Sequence, residues 1–329
     1  MNDTIYIIGN GFDLHHGLKS SYFDFAKFLE ARNNNLYKFI ESYFRFPSVD
    51  NSLWRKFEEN LANLDLEATL EDHKLYLPDI SSDEFRSRDL HAFPAIMHEI
   101  LQNLTTNLRM IFQEFITNII IPESAYEKKV TLNKDAKFLN FNYTNTLEIV
   151  YNVDAKKILY IHNSAYNRNS EIILGHGMNP DSLIEPEPKP PIGLTKEQLI
   201  EWQESQSENW DYSFDTGKET LSSYFKDSFK PTKQIITNNM TYFDELKDIS
   251  NVFILGHSLS PIDLPYFEKL KHSVNPTANW HVSYYTTQDK EDHLIALLAL
   301  GIIKENIKQF QLEDIQISNN QLKLGLDFN

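Results

Sequence analysis

The sequence predicts an α/β fold: a doubly wound, mostly parallel sheet with a large helical insertion after its first strand. Three observations carry this. Short apolar runs, each closed by a turn signal, recur along the chain with helical stretches between them. The first run, Thr4-Ile5-Tyr6-Ile7-Ile8, ends in the glycine turn Gly9-Asn10-Gly11. The gap that follows is far too long for one crossover helix and reads as mostly helix.

The expected strands are Thr4–Ile8, Lys137–Phe141, Lys157–Ile161, Glu171–Leu174, Asn251–Leu255 and Trp280–Tyr285. Within the gap, one helix is expected over Tyr22 to Phe44 and a clearer one from about Pro94 to Ile121. There Leu101, Leu104, Leu108, Ile111, Phe112, Phe115 and Ile119 recur at spacings of three and four and make one apolar face. No glycine- or proline-rich linker isolates the stretch. Residues 21–121 are therefore expected to cap the sheet of a single domain spanning 1–329. A second zone, 179–215, opens with Glu185-Pro186-Glu187-Pro188-Lys189-Pro190-Pro191 and is acidic thereafter. Its prolines remove backbone donors and disfavour helix, so it reads as an irregular surface loop or flap with a short helix.

Composition bounds the function. The 329 residues are 41% hydrophobic, enough for a real core, and contain no Cys, which removes disulfides, thiolate nucleophiles and Cys-based metal sites. The formal charge of −16 works against non-specific attraction to nucleic acid or anionic membrane. No apolar run approaches the roughly 18 residues of a membrane span, and Met1 leads straight into strand-like sequence, so the expected location is the cytoplasm. No clustered carboxylate metal site is evident. A second copy of the chain or a regulatory protein is compatible with this composition as a partner.

Glycines after a strand let the backbone turn sharply and approach a ligand without interference from Cβ. Gly9, Asn10, Gly11 and Phe12 are therefore read as a phosphate-holding turn. Gly11→Val is expected to block the phosphate path while leaving the fold mostly intact. The next glycine, Gly17, comes six residues after Gly11, so the dehydrogenase fingerprint is not satisfied, and no Gly-Lys-Ser/Thr follows to make a Walker loop.

Ligands of open α/β sheets sit beyond the carboxyl ends of the strands. Polar residues gather at those ends: Asn142-Tyr143-Thr144-Asn145, His162-Asn163-Ser164, Gly175-His176-Gly177, and Gly256-His257-Ser258-Leu259-Ser260 followed by Asp263. Each has a plain structural reading, as a helix cap or a satisfied histidine. Three histidines at strand ends, two of them beside glycine, favour a site.

These residues resemble a known family. Ile8-Gly9-Asn10-Gly11-Phe12-Asp13-Leu14, Gly17-Leu18 and Tyr22-Phe23-Asp24-Phe25 look like the opening of the AbiH family of bacterial phage-abortive-infection proteins. Trp54-Arg55-Lys56-Phe57-Glu58-Glu59-Asn60-Leu61, Asn140-Phe141-Asn142-Tyr143-Thr144 and Leu255-Gly256-His257-Ser258-Leu259 with Asp263 fit that family in the same order. A more distant similarity is to the sirtuin NAD-binding fold and its defence-associated NAD-hydrolase relatives, which implies a Rossmann-like sheet. On that resemblance Asn142 sits by the nicotinamide ribose, His162 is the catalytic histidine, and Gly256, His257 and Ser258 lie on the adenosine side. Two positions depart from the pattern. Asn163 replaces the glycine after the histidine, which keeps His176 as its rival, and Thr144 stands where those relatives carry Asp.

The resemblance implies cleavage of the nicotinamide–ribose bond of NAD by a hydrolase that needs no cofactor beyond its substrate. The catalytic candidates are Asn142, His162, His176 and Asp13. The nucleotide-binding candidates are Gly9, Asn10, Gly11, Phe12, Tyr143, Gly256, His257, Ser258 and Asp263. A module that senses a nucleotide without cleaving it, and an effector that cuts nucleic acid, are the alternatives. The net charge disfavours the latter.

Overall fold

The computed structural model describes residues 3–44, 53–167, 169–184, 186, 188–208 and 210–317. Glu185 and Glu187 of the proline-rich stretch lie outside the described residues. The chain divides into two compact units. The first comprises residues 1–28, 112–174 and 230–329, and the second 29–111 and 175–229.

The first unit is built on six strands: β1 (Thr4–Ile8), β2 (Lys137–Asn140), β3 (Ile158–Tyr160), β4 (Asn251–Leu255), β5 (Asn279–Ser283) and β6 (Ile307–Phe310). They form one all-parallel sheet in the order β3-β2-β1-β4-β5-β6, the Rossmann order, which reverses direction between β1 and β4. Register is set by alternation. Ile5 and Ile7 face a core with Val252, Ile254, Val282, Tyr266, Phe267 and Leu270. Tyr6 and Ile8 face the opposite core with Phe138, Phe12, Leu147, Val150 and Tyr151. Both faces of the sheet are thus buried, as the near-continuous apolar runs require.

Two strand expectations are corrected. Glu171–Leu174 is not a strand. It lies outside the sheet, where the Ile173 amide donates to His162 O (2.9 Å) and its carbonyl accepts from Tyr143 Oη (2.7 Å). The sixth strand is instead Ile307–Phe310, whose adjacent polar residues Lys308 and Gln309 suit a partly exposed edge and hide it from a search for apolar runs.

In the second unit the helix Ala92–Gln102 packs on the helix Tyr212–Ser222. Gly217 permits the approach, since a Cβ there would lie 2.4 Å from Phe93 Cδ1. Of the zone 179–215, Lys196–Glu208 is helical and Asp211 caps the next helix by accepting from the Phe214 amide. The apolar face expected from Pro94 onward is buried at Leu101, Leu104, Leu108, Phe112 and Phe115, and a π-helical turn at Asn103–Asn107 interrupts the helix that carries it. Among the described residues, no helix is long and apolar enough to cross a membrane.

A buried histidine ties the first helix of the sheet unit, Asn10–His15, to its core. His16 Nδ1 donates to Phe12 O (2.7 Å), its Nε2 accepts from Tyr151 Oη (2.6 Å), and that oxygen accepts from the Val130 amide (2.9 Å). Burial above all pushes His16 down to about 4; nearby His15, Lys128 and Lys129 add to this, and its bond to Phe12 O opposes it. Unfolded, the ring titrates near ~6.5, so between these values the unfolded chain holds the extra proton. Stability is therefore full above pH ~6.5 and falls toward pH 4, by on the order of 3 kcal/mol from this group. Urea unfolding between pH 7 and 4.5 is expected to show this slope, and His16→Gln to flatten it. An equal slope in the variant would assign the loss to other groups.

Candidate functional site

The register places the residues after β1, β2, β3 and β4 at one edge of the sheet: Phe141 N donates to Ile8 O, Ile161 N to Asn140 O, and Gly9 N to Leu255 O. At the switch point the loops after β1 and β4 cross backbone to backbone. Gly11 N donates to Gly256 O (2.7 Å) and Phe12 N to Gly9 O (2.9 Å). A Cβ at Gly9 would lie 2.6 Å from His257 Cα, and one at Gly11 2.8 Å from Gly256 O. Gly256 has φ +66°, and a Cβ there would fall 2.0 Å from Phe12 N. The glycines are therefore required by the protein's own close approach. This corrects the expectation for Gly11→Val, whose side chain would wedge the two loops apart. The amides of Gly9, Gly11 and Phe12 already donate within the protein, and the Phe12 ring lies in the core against His16 and Tyr151.

The second layer of the site joins β1 to β2. Asp13, only 1% exposed, accepts from Thr144 Oγ1 (2.5 Å) on one oxygen and from Thr146 Oγ1 (2.6 Å) on the other. Burial raises its carboxyl to about 6, against the lowering effect of the Thr144, Thr146 and Asn142 donors. Asn142 is buried and fixed: its Nδ2 donates to Gly9 O (3.1 Å) and its amide to Asn140 Oδ1 (3.0 Å). Thr144, the position lacking the expected carboxylate, spends its hydroxyl on Asp13, so a carboxylate stands beside it from another strand end. Tyr143 holds the loop by donating to Ile173 O and stacking edge-on against Phe112.

The third layer gathers His162, His257, Ser260 and Asp263, which follow β3 and β4, together with Lys230. His162 is 3% exposed, and its Nε2 has no hydrogen-bond partner. It lies 3.9 Å from Asp263 Oδ1, which Lys230 Nζ approaches to 3.7 Å. His257 Nδ1 accepts from the Leu259 amide (2.9 Å), which puts the ring proton on Nε2, 3.6 Å from Asp263 Oδ2. Ser260 Oγ donates to that same oxygen (3.2 Å). Burial first, then the charges of Lys230 and His257, hold His162 well below the usual imidazole range, so it is neutral at physiological pH.

Asn163 follows His162 with φ +65°, the left-handed conformation that a glycine would supply, and its Nδ2 donates to Glu171 O (2.6 Å). Asparagine is among the few residues that enter this region readily, so the replacement keeps the turn. Asn163→Gly is expected to fold normally, and Asn163→Val to lose at least about 1–2 kcal/mol in a urea melt. Equal stability of the two variants would contradict this.

A family model described as Bacteriophage abortive infection AbiH matches residues 5–284, from the first strand through the end of β5. The chain belongs to the AbiH family. Its coarse role is thereby bacteriophage abortive infection. No curated protein and no solved structure matches it, so the sirtuin-like resemblance rests on the residues quoted above.

Not every candidate of this AbiH-family chain joins the strand-end cluster. His176 belongs to the second unit, fully buried, where its Nε2 donates to Phe225 O (3.0 Å) and its amide to Ser228 O. Ser258 is exposed on the loop after β4, next to Leu259, whose φ is +54°. Lys230 was not legible as a site residue. It sits between Phe229 and Pro231, outside helix and strand, and only the fold brings it to Asp263. Among the described residues, no three or more His, Asp or Glu side chains are placed to hold a metal ion.

Proposed function

We propose that this abortive-infection protein binds an adenine nucleotide at the carboxyl ends of β1 to β4 and hydrolyses the nicotinamide–ribose bond of NAD. One observation carries the reading: His162, buried and neutral, keeps an unpartnered Nε2 beyond the end of β3, on the carboxyl side of a Rossmann-order sheet. A neutral imidazole there accepts a proton from a ribose hydroxyl. Asn142, held by Gly9 O, orients the ribose or the attacking water. The Asp13 carboxylate offsets positive charge as the carbon–nitrogen bond breaks. Water oxygen bonds to the ribose carbon as the carbon–nitrogen bond breaks, and nicotinamide leaves neutral with the bonding pair. The water proton restores the ribose hydroxyl, and ADP-ribose and the proton held by His162 are the other products. Tyr143, Gly256, His257, Ser258 and Asp263 frame the nucleotide, while Gly9, Asn10, Gly11 and Phe12 shape the turn it meets.

A second reading, a nucleotide sensor that does not cleave, is favoured by Thr144, whose hydroxyl is committed to Asp13 where the resemblance calls for a free carboxylate. Calorimetric titration with ADP-ribose, ATP and a short RNA, paired with product analysis, separates the readings. Binding of ADP-ribose with release of nicotinamide from NAD supports hydrolysis. Binding without release supports the sensor, and binding of RNA alone would remove both.

A further inference from the structure

The strand-end cluster contains an unusual arrangement around one atom. Asp263 Oδ1 is buried and accepts no hydrogen bond, yet two nitrogens able to carry positive charge address it, Lys230 Nζ from 3.7 Å and His162 Nε2 from 3.9 Å. The carboxylate's other oxygen is served separately by Ser260 Oγ and the proton-bearing Nε2 of His257. Lys230 is itself only 1% exposed, and a buried ammonium is costly unless a counter-charge stands near. The lysine has that counter-charge 3.7 Å away in Asp263. The histidine needs it only once it has taken a proton.

Both nitrogens cannot be cationic beside one oxygen without like-charge repulsion in a space closed to water. We propose that Lys230 and His162 compete for Asp263 Oδ1, so that Lys230 is a positioning residue whose claim on the carboxylate keeps His162 unpaired and free to accept a proton. This rests on the reading of His162 as the proton acceptor. Besides Lys230, Asp263 and His257, the titratable groups facing its ring are Tyr143 (ring centroids 6.2 Å apart) and Tyr266 (5.6 Å), and neither offers a cation. His257 directs its Nε2 proton toward the other oxygen.

Without Lys230, Asp263 Oδ1 is left without its lysine, and His162 Nε2, 3.9 Å away, is the imidazole nitrogen that addresses that oxygen, while His257 Nε2 addresses Oδ2 from 3.6 Å. His162 should then bind a proton and close onto Oδ1 as an ion pair. The test is the histidine ring NMR titration of the full chain, with His162 assigned by the signal lost in His162→Gln. In Lys230→Met the His162 midpoint is expected to rise by roughly 1–3 pH units, the effect of an unopposed carboxylate at this range. Lys230→Arg should restore the wild-type titration. The double variant Lys230→Met/Asp263→Asn should bring the midpoint back down, because the pair is removed together. If Lys230→Met does not fold, Lys230→Gln keeps a donor for Oδ1 without the charge and should show the same rise. An unchanged midpoint in the neutral variant overturns the competition, as does a rise that persists in the double variant. Because the readout is titration and not turnover, a rise in protein that never cleaves NAD would uphold the competition and remove the hydrolase reading. Cleavage with an unmoved midpoint would do the reverse.

Discussion

Gly256→Ala is expected to prevent folding or to lower stability by roughly several kcal/mol, because a Cβ there meets backbone at 2.0 Å, closer than at Gly9, Gly11 or Gly217. The cost has two sources. The backbone at this position has φ +66°, where L side chains are strained, and the new Cβ would lie 2.0 Å from Phe12 N and 2.4 Å from Gly11 C. Both neighbours are backbone, held by Gly11 N on Gly256 O and by Phe12 N on Gly9 O, so neither can swing aside as a side-chain tip would. Gly11→Val should be the milder case, since its nearest contact is 2.8 Å and its backbone is helical. Thermal melts followed by circular dichroism should rank wild type above Gly11→Val and that above Gly256→Ala. A Gly256→Ala protein melting with the wild type would show that the two switch-point loops do not touch in solution.

The second large effect concerns turnover. His162→Ala is expected to reduce nicotinamide release by about 10²–10⁴-fold, the usual worth of a positioned general base. Asn142→Ala should also lower the rate sharply while leaving the affinity for ADP-ribose largely intact, because it removes orientation rather than the nucleotide contacts. The pH profile separates the roles. His162, held well below the usual imidazole range, stays unprotonated to acidic pH and gives no limb near neutrality. Asp13 must be ionised to offset positive charge, so the rate is expected to fall as pH drops through about 6, the value to which burial raises it. Asp13→Asn should remove that limb along with much of the activity. A limb that survives in Asp13→Asn would assign the titration to another group.

How far these features can be read from the sequence depends on whether a residue's partner is local. β1, β2 and β4 are legible because both faces of a parallel strand are buried and Ile5, Ile7, Leu139, Val252 and Ile254 announce that in composition. β6 is not, since Lys308 and Gln309 interrupt it at the sheet edge, and Ile172-Ile173-Leu174 deceives because an apolar run can be buried without joining a ladder. The strand-end rule finds Asn142, His162, His257 and Asp263, whose positions follow from topology. It misplaces His176, because the run before it is not a strand. Lys230 is invisible for the opposite reason: its partner, Asp263, lies 33 residues away and is brought close only by the fold. The glycine turn shows a further limit. Gly9 and Gly11 signal close approach correctly, but sequence cannot say that what approaches is the chain itself at Gly256.

The central claim is that the groups gathered beyond β1 to β4 cleave NAD. Its most direct test is incubation of the purified wild-type protein with NAD, with and without lysate of phage-infected cells as a source of trigger, and quantification of nicotinamide and ADP-ribose. The account predicts equal amounts of the two products in at least one condition, abolished in His162→Ala protein that melts like the wild type. Nicotinamide release that continues undiminished in His162→Ala, or ADP-ribose binding with no nicotinamide released under any condition, would contradict it.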